Sequence, residues 1–204
     1  MGLMNSLEPP PFYDDLGASL REAWALLARG AADRRSAFHT PVVANAGADG
    51  RPRLRAMVLR AVDPARRLLR FHTDWRSAKV ADLARDPRVS AHVYDPRTKI
   101  QLRLAGAARL SPPDAAQAQA FWDGSRPQSR ACYAQPQAPA TVLAAPQDAD
   151  ARLADGRANF SALEIEVTEI EWLYLFHAGH RRARFVWSDA GAAQAGWTQD
   201  WLAP

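Results

Sequence analysis

The sequence predicts a mainly β protein, a β-barrel with peripheral helices, on three observations. Apolar runs of strand length recur between Arg53 and Arg109: Met57-Val58-Leu59, Leu68-Leu69 through Phe71, and Val89 to Tyr94. Asp63-Pro64 and Asp95-Pro96 are turn signals between such runs. Ile100, Leu102 and Leu104 then alternate with Gln101, Arg103 and Ala105, the period-two pattern of a half-buried strand. Leu163 to Phe176 is the longest strand pattern, with Leu163, Ile165 and Val167 opposing Glu164, Glu166 and Thr168. That alternation makes the two glutamates members of a solvated face rather than a catalytic carboxylate pair.

Taken in order, residues 1–12 read as a flexible lead-in ending in three prolines. Tyr13 to Arg29 carries a helical stripe of Leu16, Leu20, Ala23, Trp24 and Leu27, with Asp14 and Asp15 at its start and Gly30 as its stop. Phe38 to Ala46 reads as a strand, and Ala48-Asp49-Gly50 as a hairpin turn into the strand at Arg53. The one helix inside the central stretch runs from Ser77 to Arg85 and is stopped by Asp86-Pro87. The strand after Gly106 reaches about Leu110, and Ser111-Pro112-Pro113-Asp114 opens another helix, serine as its cap. Residues 123–159 form a loop and helical insertion, with helical turns expected at Ser129–Tyr133 and near Ala149–Ala154. Arg184–Trp187 and Gly196 onward supply the last strands.

Composition narrows the function. At 204 residues, the chain is long enough for one well-buried domain. A formal charge of +4 favours an anionic ligand, but the arginines are scattered and form no basic tail of the kind that binds nucleic acid. The single cysteine, Cys132, excludes an internal disulfide and a multi-cysteine metal site, and reads as an idle thiol before a nucleophile. The first residues lack the basic and apolar regions of a signal peptide, and no stretch approaches a membrane span, so a cytoplasmic protein is expected.

Candidate site residues cluster in the central stretch. Ser77 stands at a helix start, where its hydroxyl and the free N–H groups suit an anion. Lys79 sits in the first turn, where a cation opposes the helix dipole unless an anion is bound. Arg55 and Arg60 flank an apolar strand and offer two-pronged phosphate contacts, and Gln101 lies on the alternating strand beyond. The alternative is that these are ordinary solvated cations.

The motifs Arg55-Ala-Met-Val-Leu-Arg60, Phe71-His72-Thr73-Asp74, Ser77-Ala78-Lys79, Asp86-Pro87-Arg88 and Gln101-Leu-Arg103-Leu-Ala-Gly106 resemble the pyridoxamine 5′-phosphate oxidase family of FMN-binding split barrels, in order and spacing. The resemblance implies one FMN-binding split-barrel domain over residues 1–204. It implies FMN contacts from Arg55, Met57, Val58, Leu59, Arg60, His72, Thr73, Ser77, Lys79 and Gln101. Trp172 and Arg182, ten residues apart, match a tryptophan and an arginine that reach the flavin across a dimer interface, so a homodimer is implied. An Arg-x-His pair in the family becomes Ala178-x-His180 here, and the family's lysine becomes Arg60. His180 is the candidate acid/base group, and the altered substrate side weakens a vitamin B6 assignment. Three readings follow: an FMN-dependent oxidoreductase of this class acting on an unidentified small molecule, the pyridoxine/pyridoxamine 5′-phosphate oxidase itself, and a non-catalytic flavin-binding protein.

Overall fold

A computed structural model of the chain describes residues 8–146, 156–189 and 195–204. The helix expected at Ala149–Ala154 lies outside these residues. Among the described residues nine strands form one antiparallel sheet: β1 (Val42–Ala46), β2 (Pro52–Ala56), β3 (Leu59–Asp63), β4 (Leu68–Asp74), β5 (Arg88–Asp95), β6 (Ile100–Ser111), β7 (Phe160–Tyr174), β8 (Arg181–Ser188) and β9 (Gly196–Leu202). The order is β2-β1-β5-β6-β7-β4-β3, with β8 on the second half of β7 and β9 on β8. The two longest strands, β6 and β7, are the spine. They pair from Ile100–Tyr174 to Ser111–Ala162, with one bulge at Ala105/Gly106. A Cβ on Gly106 would overlap the Glu166 carbonyl, so the close approach at the bulge requires glycine.

The sheet curls around one apolar interior. Val43, Leu59, Phe71, Ala91, Leu102, Ile165, Trp172 and Phe185 come from seven strands and lie in a single core cluster. Helix α1 (Leu16–Ala32) closes it with Leu20, Ala23, Trp24, Leu26 and Leu27. Asp15 caps α1 by accepting from the Ala18 N–H at 2.8 Å. The helix runs two residues past the expected stop at Gly30, because that glycine admits the Phe38 main chain against the helix. The region read as one strand from Phe38 is instead a 3₁₀ turn, Ala37–His39, followed by β1. Ser36 accepts from the Phe38 N–H at 3.2 Å and His39 Nδ1 lies 2.7 Å from the Gly30 carbonyl, side-chain bonds that period-two reading does not see.

Among the described residues three shorter helices sit at the periphery: α2 (Ala78–Arg85), α3 (Ala116–Asp123) and α4 (Pro127–Ala131). Ser111 does not cap α3. It remains in the β6–β7 ladder opposite Ala162, and Ala115 takes the cap position. The run Met57-Val58-Leu59 is split: β2 ends at Ala56, Met57 donates to the Pro41 carbonyl at 3.0 Å, and β3 starts at Leu59. Among the described residues no helix is long and apolar enough to cross a membrane.

Candidate functional site

The end of β4 turns directly into α2, and this turn builds a cationic cradle. Ser77 is the cap residue of α2, but its hydroxyl donates to the Asp74 carbonyl at 2.7 Å and makes no cap hydrogen bond. The first N–H groups of α2 are therefore left without a side-chain acceptor. Lys79 folds back over them: its Nζ donates to Ser77 Oγ at 2.9 Å and to Thr73 Oγ1 at 3.0 Å. Arg55 approaches from β2, hydrogen-bonded to the Asn45 side chain. Burial pulls Lys79 below its ordinary value, Arg55 lowers it further, and Asp74 acts in the opposite direction. Burial likewise lowers Arg55, with Asp82 acting in the opposite direction. Neither cation forms an ion pair with a carboxylate among the described residues. Two partly desolvated cations, two hydroxyls and an uncapped helix start suit a phosphate monoester.

On the other face of β4 lies a cavity of about 610 Å³. His72 and Thr73 are consecutive in the strand, so His72 faces the cavity while Thr73 faces the cradle. Arg34, Arg60, Arg70 and Arg126 line the cavity with His39 and His72, and no carboxylate is among its described lining residues. Phe121 of α3 roofs it: the ring stacks on His72 at 6.5 Å and 20°, and the Arg70 guanidinium sits 3.7 Å from its centroid. Burial first, then Arg60 and Arg70, lower His72 to about 4, so its imidazole is neutral at pH 7. A neutral histidine among arginines offers a hydrogen bond without adding charge.

The sequence-derived set thus divides. Arg55, Thr73, Ser77 and Lys79 meet at the cradle, whereas Val58, Arg60 and His72 line the cavity. Met57 is in the core and supports the β2–β3 connection, and the buried Leu59 also lines the cavity. His180 is exposed in the β7–β8 turn and lines neither the cradle nor the cavity of its own chain.

The sheet register places Trp172 inside the core of its own chain. Leu102, Trp172 and Ala183 form one cross-strand row, and all three have no exposed surface. The Trp172 indole meets Phe12 edge-on at 5.2 Å inside the core and has no hydrogen-bond partner for its N–H. The next row is Tyr94, Gln101, Leu173 and Arg182, on the opposite face. In this hairpin residue 173 pairs with 182, so a tryptophan at 172 and an arginine at 182 point to opposite sides. Leu173, not Trp172, shares a face with Gln101 and Arg182. Arg182 donates to Glu171 at 2.9 Å, and Glu171 also accepts from Arg103 at 3.1 Å.

Arg34, His39, Arg70, Phe121 and Arg126 were not singled out from the sequence. Arg70 carried a usable signal, since it lies two residues before His72 in the same strand and shares its face. The others come from three separate segments whose convergence has no local signature.

Residues 21–112 match the sequence model described as "Pyridoxamine 5'-phosphate oxidase, FMN-binding domain". No curated protein matches the sequence. A pyridoxamine 5′-phosphate oxidase-related FMN-binding protein from Nostoc punctiforme superposes with a TM-score of 0.69 at 22% identity, covering 97% of this chain and 100% of that one. PhzG from Burkholderia lata, solved with tetrahydrophenazine-1-carboxylic acid, gives a TM-score of 0.70 at 22% identity over 97% of this chain and 98% of that one. A general stress protein 26-related protein from Clostridium acetobutylicum gives 0.54 at 15% identity over 81% of this chain and 93% of that one. The chain has the split-barrel fold of the pyridoxamine 5′-phosphate oxidase-like proteins, and residues 21–112 carry the sequence pattern of their FMN-binding domain.

Proposed function

We propose that this protein is an FMN-dependent oxidoreductase whose substrate is a small anionic molecule. The observation that carries the reading is the cradle: Arg55 and Lys79, partly desolvated and without carboxylate partners among the described residues, stand with Thr73 and Ser77 at the uncapped start of α2. An anion there relieves the repulsion between the two cations and satisfies the helix dipole together. FMN, when bound, supplies the acceptance and return of a hydride equivalent.

The residues of the chain have distinct parts in this reading. Arg55, Lys79, Ser77 and Thr73 hold the phosphate. Arg60, Arg70 and Arg126 set the cavity's preference for negative charge, and Phe121 provides a flat apolar wall for a planar substrate. His72 stays neutral near pH 7, available to donate or accept one hydrogen bond. Gln101, Leu173 and Arg182 lie on a different face, on β6–β8. In a homodimer, which we also propose, that face and the His180 turn complete the flavin site of a second copy. The setting is cytoplasmic, where the exposed Cys132 thiol stays reduced.

The test begins with the absorption spectrum of the purified protein and identification of any released cofactor. Flavin bands and release of FMN are the expected outcome. Colourless protein that takes up neither FMN nor riboflavin overturns the reading. An amine-oxidation assay with pyridoxine and pyridoxamine 5′-phosphates then asks whether the anionic substrate is a B6 vitamer.

A further inference from the structure

We propose that Arg76 is a positioning residue for phosphate binding, acting by offsetting the Asp74 carboxylate that the fold places beside the cradle. The proposal rests on the reading of the cradle as the FMN phosphate site.

Asp74 ends β4 and opens the turn into α2. Its side chain is 9% exposed, and its charge is felt at Lys79. The turn needs this residue. Its Oδ1 accepts from the Arg76 N–H at 2.8 Å, and its carbonyl accepts from the Ser77 N–H at 3.1 Å and the Ser77 hydroxyl at 2.7 Å. An aspartate or asparagine side chain serves that turn equally well, since either has the acceptor oxygen. The charge is therefore incidental to the turn, and it has the wrong sign for a neighbouring anion.

Arg76 meets that charge with a two-pronged pair. Nε donates to Oδ1 at 3.0 Å and Nη2 to Oδ2 at 2.7 Å. The remaining nitrogen, Nη1, donates to the Pro136 carbonyl at 3.1 Å, in the segment that follows α4. Each nitrogen of the fork donates to a protein acceptor, so the guanidinium is held on Asp74 and Pro136. Its effect on phosphate is indirect: it offsets part of the Asp74 charge, so that Lys79 and Arg55 dominate what a ligand meets. Removing one member of such a half-buried pair exposes the other's full charge.

The proposal is tested on the full-length apoprotein by fluorescence titration with FMN and with riboflavin, which lacks the phosphate. Arg76→Ala is expected to weaken FMN about tenfold, the scale of one like-charge interaction at a partly buried site, and to leave riboflavin unchanged. The double variant Asp74→Asn/Arg76→Ala keeps the turn acceptor, removes the charge, and is expected to recover wild-type FMN affinity. Arg76→Gln, a milder change, is expected to follow Arg76→Ala, and it serves if the alanine variant does not fold. Unchanged FMN affinity in the single variants overturns the proposal. So does equal weakening of FMN and riboflavin, or a double variant that stays weak, since each shows a structural role for the pair and no electrostatic one. Wild-type protein that binds neither FMN nor inorganic phosphate overturns the cradle itself and Arg76's role with it.

Discussion

The cradle at the β4–α2 turn and the outer face of β6–β8 are built from the same kinds of residue and left in opposite electrostatic states. On the β6–β8 face, Arg182 and Arg103 share Glu171, and Arg184 lies 3.5 Å from Asp200. Positive and negative groups alternate from strand to strand, so the face is nearly satisfied by itself. In the cradle, Lys79 and Arg55 have hydroxyl and amide partners but no paired carboxylate among the described residues, and burial lowers both. A satisfied ladder stabilises a sheet, whereas unsatisfied cations held together by a fold are poised for a ligand. Arginine content alone does not separate the two, but the position of the nearest carboxylate does.

The sharpest way to break this comparison is to remove the cradle's charges. Arg55→Ala/Lys79→Ala is expected to lose FMN affinity by more than about a hundredfold, from two charged hydrogen bonds at roughly 1.5–3 kcal/mol each. Riboflavin titration should show little change. In the absence of ligand, Lys79→Met should leave the thermal midpoint unchanged or higher, because the lysine is held at a cost to the fold. A marked fall in the ligand-free midpoint would show that Lys79 is satisfied after all.

A second experiment separates the two faces of β7. Trp172→Ala should destabilise the protein by about 3–5 kcal/mol in urea unfolding, as expected for a large aromatic residue removed from a core. Leu173→Ala should cost under about 1 kcal/mol, as a substitution away from the core. If Leu173→Ala were the costlier, the register-based assignment of the faces would fail.

The third concerns His72, whose folded-state pKa is about 4 against an ordinary 6.5. The unfolded chain takes up a proton as pH falls through 6.5, while the folded chain resists until about 4. Stability from neutral His72 is therefore complete above the ordinary value, declines between 6.5 and about 4, and falls no further below that. The loss is at most about 3 kcal/mol. His72→Phe should flatten the urea midpoint over this window. A midpoint with the same pH dependence in the variant would assign the effect to other groups.

The smallest effect belongs to the paired face. Arg182→Ala should cost less than about 1 kcal/mol in urea unfolding, because an ion pair of this exposure is worth about 0.2–1 kcal/mol. A larger loss would show that more than an exposed pair holds this face together.

Much of the fold was legible because strand alternation is a local property. The strands β6 and β7 follow from Ile100-x-Leu102-x-Leu104 and Leu163-x-Ile165-x-Val167, whose faces are decided by their own neighbours. The α2 start was legible for the same reason, with Ser77, Lys79 and Asp86-Pro87 inside eleven residues. Boundaries that depend on distant partners were not. Ser111 looks like a helix cap in isolation and is taken into β6 by Ala162, fifty-one residues later in the chain. Gly30 looks like a helix stop and is a packing notch for Phe38.

The sequence by itself determined the mainly β class, the anion-suited helix start and the residues that resemble an FMN site, because each is encoded within one turn or one strand. Only the tertiary structure decided which faces those residues occupy. Pairing of Leu173 with Arg182 turns Trp172 inward, and the alternation of His72 and Thr73 separates a cavity from a cradle on one strand. Four arginines from distant segments share that cavity. A one-residue change of register reverses every side chain, and no spacing along the chain carries that information until the strands have paired.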